Sequence, residues 1–186
     1  MEGARGARSG TAAGGAGREI WVAGAGAGAL AGLAMVGWMM AAAALDGGSA
    51  LDPLRAAGAT FRGPGALNGG AGTVAWGLLL HLAVGALLGV LFAALVPRDI
   101  SLSSGTVLGA GSALVTMAFA MTLVVPRLAP VLAAEMPRNG GSWVIAHTLF
   151  GAVIGIAPWL RRRIGDRSVR RPEATHAGVL RPRTSG

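Results

Sequence analysis

A histidine followed by glycines four and eight residues later occurs twice in this chain, each time inside a hydrophobic run. The two sets are His81, Gly85, Gly89 and His147, Gly151, Gly155. Because an ionisable side chain is costly to place in hydrocarbon, a histidine within a membrane segment is a candidate for function. Residues spaced by four lie along one ridge of a helix, so both imidazoles are predicted to point into the helix bundle with the glycines.

Methionines supply further side chains with useful chemistry. Two precede each histidine set, spaced by four residues: Met35, Met39, Met117 and Met121. Imidazole and thioether together suit Cu(I), and paired histidines or histidine with methionine can hold haem iron. Three interpretations of the histidines stay open: hydrogen bonding between helices, to each other, Ser112, Thr116 or a carbonyl; binding of copper or haem; and handling of a proton or solute. For the methionines the alternative is apolar filling of irregular gaps.

Composition indicates the class of protein that positions these side chains. The chain has 186 residues, of which 53% are hydrophobic and 13% charged. Four windows of predominantly apolar residues approach the length of about 20 that spans a bilayer: 20–45, 73–96, 104–125 and 142–160. These runs lack the polar and apolar alternation of barrel strands. The sequence therefore predicts an all-α polytopic membrane protein with four transmembrane helices.

The first window has a second interpretation, a secretory signal cleaved near the alanines at 41–44. Its apolar stretch is well beyond the roughly 7–15 residues of a signal core, which favours an uncleaved helix.

Arginine sets the predicted orientation, because all 16 basic residues are arginine and eight of them follow Leu160. The positive-inside rule places that tail in the cytoplasm, and Arg5, Arg8 and Arg18 place the N-terminus there as well. Residues 46–72 and 126–141 then face outward. Tryptophans fit an aromatic belt at both interfaces: Trp21 and Trp159 inside, Trp76 and Trp143 outside.

The basic tail itself is predicted to act at the membrane surface. Arg161, Arg162 and Arg163 adjoin the last span, where they would set topology and attract anionic headgroups. Binding of nucleic acid is the alternative for such a cluster, and the juxtamembrane position argues against it. Residues 1–19 and 161–186 are polar or rich in Gly and Pro, so both are predicted to be disordered cytoplasmic segments.

The two halves of the chain share an ordered set of features. Each outer loop ends in Asn-Gly-Gly, at 68–70 and 139–141, and a tryptophan, the histidine and two glycines follow in that order. This order indicates two αα-hairpin pseudo-repeats that run in parallel about an axis along the membrane normal. Both histidines then lie at one depth, about 6–8 Å below the outer interface.

Glycines spaced by four occur in every predicted span. Small residues at this spacing let transmembrane helices approach closely, so packing is their predicted role. The set comprises Gly24, Gly28, Gly32, Gly85, Gly89, Gly105, Gly109, Gly151 and Gly155.

Each outer loop is predicted to carry a short surface helix. In the first, Asp52 would cap the helix with Pro53 in its first turn, and one face would present Leu51, Leu54, Gly58 and Phe61. The second loop places Leu128, Leu132, Glu135 and Met136 between prolines and predicts the same. No spacing pairs the loop carboxylates as acid and base, and cysteine is absent. The chain is therefore predicted not to be an enzyme.

The layout as a whole resembles small bacterial inner-membrane proteins of the YagU type. The resemblance rests on a Gly-rich first helix, a long outer loop, His81 in the second helix, Gly105 and Gly109 opening the third, and His147 in the fourth before an Arg-rich exit. It covers roughly residues 20–165. The resemblance implies a four-helix inner-membrane fold with a pair of intramembrane histidines, and it implies no settled activity.

The leading functional prediction is a non-enzymatic protein of the bacterial inner membrane, such as an accessory, assembly or structural subunit. Its partners would be the lipid bilayer and a second copy or another membrane protein, because close-packing Gly and Ala faces suit helix association. A haem- or copper-binding protein that uses His81 and His147 is one alternative. A small transporter or proton-handling protein is the other.

Reporter fusions test the predicted topology. A fusion after Leu160 should report the cytoplasm, and fusions near Gly63 or Asn139 should report the outside, because arginine asymmetry directs insertion. A C-terminus found outside would contradict four spans. A mature N-terminus near Leu45 would identify the first helix as a cleaved signal.

Overall fold

The computed structural model describes residues 6–135 and 140–170. Four of its helices are long and apolar enough to cross a membrane, and they fall on the four windows predicted from the sequence. These spans are Gly17–Leu45, Ala71–Leu95, Leu102–Leu128 and Gly140–Asp166. The protein is therefore an all-α, multi-pass membrane protein.

The helices have the following bounds. They are α1 Gly6–Leu45, α2 Asp52–Ala59, α3 Ala71–Leu95, α4 Leu102–Phe119, α5 Val125–Leu128, α6 Pro130–Glu135, α7 Gly140–Ile154 and α8 Ala157–Arg170. A 3₁₀ turn occupies Pro64–Asn68, and a π-helical turn at Ala120–Val124 joins α4 to α5 in the third span. The fourth span bends between α7 and α8, where Pro158 cannot continue the ladder of hydrogen bonds.

Two helices extend into segments that the sequence predicts to be disordered. Residues 6–19 belong to α1, and residues 161–170 belong to α8. Extending an existing helix requires no new nucleation, and neither stretch contains proline. The helical structure over these residues differs from the predicted disorder of 1–19 and 161–186. Met136, Asn139 and residues 171–186 lie outside the described residues.

The spans form a row rather than a closed bundle. The first span packs on the second and on the fourth, and the fourth packs on the third. The two predicted hairpins are thus present. A twofold axis relating the two hairpins would make the second and third spans pack together as the first and fourth spans do. The second and third spans make no comparable contact. A gap remains between them.

Glycines form the contacts within both hairpins. A Cβ atom added at Gly85 would lie 2.8 Å from the carbonyl oxygen of Gly28, and one at Gly105 would lie 2.5 Å from that of Gly155. Eight of the nine predicted packing glycines face backbone atoms of the neighbouring helix in this way. Gly32 is the exception: its added Cβ would make ordinary van der Waals contact with the side chains of Leu82, at 3.4 Å, and His81, at 3.6 Å.

The side of the bundle that carries α2 and α6 is called the loop face here. Helix α2 packs on the second span through Gly58, whose added Cβ would lie 2.5 Å from the Thr73 carbonyl oxygen. Of the four residues predicted to share one face, Leu54 and Gly58 are buried in the helix. Leu51 and Phe61 flank this eight-residue helix and are exposed.

Asp52 does not cap α2, in contrast to the sequence prediction. It is the first helical residue, and its carboxylate accepts a hydrogen bond from the Ser49 N–H at 2.9 Å. Arg55 then holds α2 in place, because its guanidinium pairs with Asp52 at 2.9 Å and donates to the carbonyl of Gly69 at 3.3 Å. Pro53 lies in the first turn as predicted.

The opposite side, the tail face, is closed by arginines from α8. The Arg161 guanidinium donates hydrogen bonds to the carbonyl oxygens of Ala93 and Val96, the latter at 3.0 Å. The Arg162 guanidinium donates to the carbonyl oxygen of Ile100 at 2.7 Å. These carbonyls belong to the last turn of the second span and the connection after it. Cations at a helix C-terminus satisfy free carbonyls and complement the helix dipole. Arg161 and Arg162 thus have a structural role beyond the predicted contact with headgroups.

Arginine also covers tryptophan at both ends of the bundle. The Arg163 guanidinium lies 5.1 Å from the ring centroid of Trp159, and that of Arg62 lies 5.6 Å from Trp76. Such pairs combine an apolar ring with a charged group, as suits the boundary between lipid and water.

Glycine substitutions test the two contacts within the hairpins. Gly28→Ala and Gly109→Ala place a methyl group against the opposing backbone and should each lower stability by about 1–3 kcal/mol. Gly26 and Gly111 lie on the same helices with open space beside them. Their alanine variants should be neutral or stabilising by up to about 1 kcal/mol. Thermal unfolding in detergent measures both pairs, and equal tolerance would contradict the described packing.

Candidate intramembrane binding site

A cavity of about 340 Å³ fills the gap between the second and third spans. We call it the histidine cavity, because both His81 and His147 line it. All four methionines singled out by sequence line it as well: Met35, Met39, Met117 and Met121. The structure thus brings together all six side chains that the sequence nominates for chemistry.

His147 is oriented by its own helix. Its Nδ1 atom lies 2.8 Å from the carbonyl oxygen of Trp143, and the two rings stack with centroids 5.9 Å apart. A carbonyl oxygen only accepts hydrogen bonds, so Nδ1 carries the hydrogen. In the neutral ring, Nε2 then keeps its lone pair, which can accept a hydrogen bond or bind a metal ion.

His81 is positioned against the first span. Its imidazole hydrogen-bonds to the backbone of Gly32, and it lies near enough to His147 for the two rings to interact electrostatically. The hydrogen bonds of the histidines therefore go to backbone groups rather than to Ser112 or Thr116. Ser112 itself donates to the carbonyl of Gly109 on its own helix at 2.8 Å.

A metal site in this cavity would depend on these two imidazoles and on thioethers. Among the described residues, no group of three His, Cys, Asp or Glu side chains is placed to hold an ion. Two nitrogens with methionine sulfurs match the preferences of Cu(I), whereas zinc and the hard cations need more nitrogen or oxygen ligands.

The walls of the cavity are largely apolar, and one side is open. Phe92, Phe150 and Ile154 are buried at its base. Leu91 and Leu95 also line it, yet they are 52% and 73% exposed. Because the second and third spans do not pack together, this exposed edge faces laterally out of the bundle, where the bilayer would lie.

A second, more polar cavity of about 460 Å³ lies at the loop face. We call it the vestibule; of the described residues, the charged ones that line it are Asp46, Asp52 and Arg55. The vestibule and the histidine cavity share four lining residues: Met39, Pro53, Leu132 and Trp143. These four residues, which we call the constriction, lie where a charged compartment at the membrane surface adjoins an apolar one within the membrane.

Trp38 hydrogen-bonds to Ser142, which lines the vestibule. Its Nε1–H lies 3.2 Å from the carbonyl oxygen and 3.1 Å from Oγ of Ser142, which links the first and fourth spans.

Sequence reasoning missed two residues that build the site. Trp143 was predicted only as an interface residue, yet it orients His147 and forms part of the constriction. Gly77 packs against the carbonyl of Leu54 in α2 and was not nominated. Both lie four residues before a histidine, so extending the repeat by one helical turn would have found them.

No family model matches this chain, and no curated protein or solved structure matches it. The resemblance to YagU-type proteins stays a prediction.

Single cysteines test whether water reaches the histidine cavity from the vestibule. The chain has no cysteine of its own. Met39→Cys and Met117→Cys should react with a membrane-impermeant thiol reagent supplied at the loop face, because thiols react as thiolates in water. Val115 is 70% exposed but does not line the cavity, so Val115→Cys should stay unlabelled in lipid. Labelling of Val115→Cys alone would contradict this access route.

Proposed function

We propose that this protein is a non-enzymatic membrane protein that binds a small, mainly apolar ligand in the histidine cavity. One observation carries the proposal: a single cavity within the membrane-spanning region is lined by both histidines and all four methionines. Imidazole is ionisable, and the thioether is polarisable. Their convergence on one space is more than helix packing requires.

The size and chemistry of the cavity support ligand binding. Its volume of about 340 Å³ falls in the range of roughly 300–1,000 Å³ found for small-molecule sites. Such sites are mostly apolar with a few fixed polar groups, and here the polar groups are the imidazoles with Ser112 and Thr116. The open edge between the second and third spans gives a route for a ligand dissolved in the bilayer.

The arginine distribution supports the orientation of the site. With the tail face in the cytoplasm of a bacterium, the loop face and its vestibule lie outside the inner membrane. The ligand site is then in the outer half of the bilayer. Arg161 and Arg162, bound to carbonyls at the other end, support a cavity that is closed toward the cytoplasm.

Haem and copper are specific ligands that this proposal includes. His81 and the lone pair on Nε2 of His147 would hold haem iron, and the thioethers would suit Cu(I). An organic molecule that accepts or donates hydrogen bonds to the imidazoles is the third possibility. It is favoured by the volume, because a lone ion occupies only a small part of such a space.

An accessory or assembly subunit is the second candidate function. It is favoured by the gap between the second and third spans, which would also admit a helix from a partner or a second copy. In that case the partner's helix would occupy the same space as the ligand.

Analysis of the purified protein tests the proposal. Absorption spectra detect haem, metal analysis detects copper, and mass spectrometry of a solvent extract detects an organic ligand. Thr116→Trp should fill the cavity and remove the bound species, whereas Val115→Trp on the same helix should retain it. Recovery of no ligand from the wild type, together with a stoichiometric membrane-protein partner, would favour the accessory subunit instead.

A further inference from the structure

The vestibule carries charge that the histidine cavity does not. We propose that the ligand is a hydrophobic cation, whose charged end lies in the vestibule near Asp46 and whose apolar body lies in the histidine cavity. This inference rests on the proposed binding function and adds the class of ligand.

The charge balance of the vestibule favours a cation. Among the described residues, its charged lining residues are two aspartates and one arginine. Arg55 is paired with Asp52 at 2.9 Å. Asp46 has no salt bridge to the described side chains, so its carboxylate can face a ligand in the vestibule. A cationic group there would be attracted to this carboxylate.

The constriction between the two cavities favours the same class. Trp143 and Met39 line both compartments, so a ligand that spans them passes an indole ring and a thioether. The face of an indole attracts cations, and this attraction strengthens when water is excluded. The ligand's charged end would therefore be attracted both to the Asp46 carboxylate and to the indole ring of Trp143.

The inner compartment suits an apolar body of variable shape. Methionine side chains are flexible and polarisable, so a cavity lined by four of them can adapt to different aromatic or aliphatic groups. Each imidazole uses one ring nitrogen for a backbone hydrogen bond, which leaves the other nitrogen to contact such a body. Among the described residues no anionic side chain lines this compartment, so charge recognition is proposed for the vestibule.

Two ions of matched size and opposite charge test the inference. Tetraphenylphosphonium and tetraphenylborate share their apolar groups and differ in the sign of their charge. Affinity for each is measured by equilibrium dialysis with full-length protein in nanodiscs, with empty nanodiscs correcting for partition into lipid. Asp46→Asn removes the vestibule charge, and Asp99→Asn, an exposed carboxylate at the tail face, is the matched control.

We expect only the Asp46 substitution to change the relative affinities for the two ions. Asp46→Asn should weaken phosphonium binding about tenfold and strengthen borate binding, because the Coulomb interaction changes sign with the ligand. Asp99→Asn should leave both affinities unchanged. Since Asp46 is exposed, its replacement should leave thermal stability unchanged, which separates loss of charge from loss of folding.

Other outcomes overturn the two proposals separately. If both ions bind, Thr116→Trp abolishes binding and Asp46→Asn has no effect, the cation inference is wrong and the cavity proposal stands. If Thr116→Trp leaves binding intact, the ions bind elsewhere and both proposals lose this support. If phosphonium does not bind at all, the cation inference is wrong, and the solvent extract alone decides whether the cavity holds a ligand.

Discussion

Direct contact between helix backbones at glycine is the constraint on which this structure depends. Gly28 meets Gly85 in the first hairpin, and Gly109 meets Gly151 in the second, with no side chain between the helices. In lipid there is little hydrophobic drive for helices to associate, so close van der Waals packing has to hold them together. Each hairpin uses its glycines for this purpose, and the rest of the architecture follows from how the two hairpins meet.

The hairpins meet along one side only. The first and fourth spans pack together, and the second and third spans stand apart, so the fold leaves a cavity that a symmetric bundle would have filled. Within that cavity the histidines remain compatible with a low-polarity environment because their ring nitrogens find backbone partners, the Trp143 carbonyl and the Gly32 backbone. Each imidazole still has a second nitrogen, and this is the group that a ligand would contact.

The tail face and the loop face of the bundle differ in the contacts that they make. At the tail face, Arg161 and Arg162 bind carbonyl groups at the end of the second span and in the connection to the third. At the loop face, α2 is held by Arg55 and Gly69 but leaves the vestibule beside it. The vestibule adjoins the histidine cavity at the loop face, and the edge between the second and third spans opens toward the bilayer.

The sequence alone determined the membrane class and the four spans, and it nominated the packing glycines and six of the side chains that line the cavity. These follow from local rules, because hydrophobic length and a four-residue spacing can be read along one chain. Tertiary structure decided that the hairpins form an open row, that Trp38 links the first and fourth spans and that Asp46 lines a vestibule. Such features depend on contacts between residues far apart in sequence. The Gly24 to Gly89 and Gly105 to Gly155 contacts are equivalent in both hairpins, so no local pattern distinguishes a closed bundle from an open one.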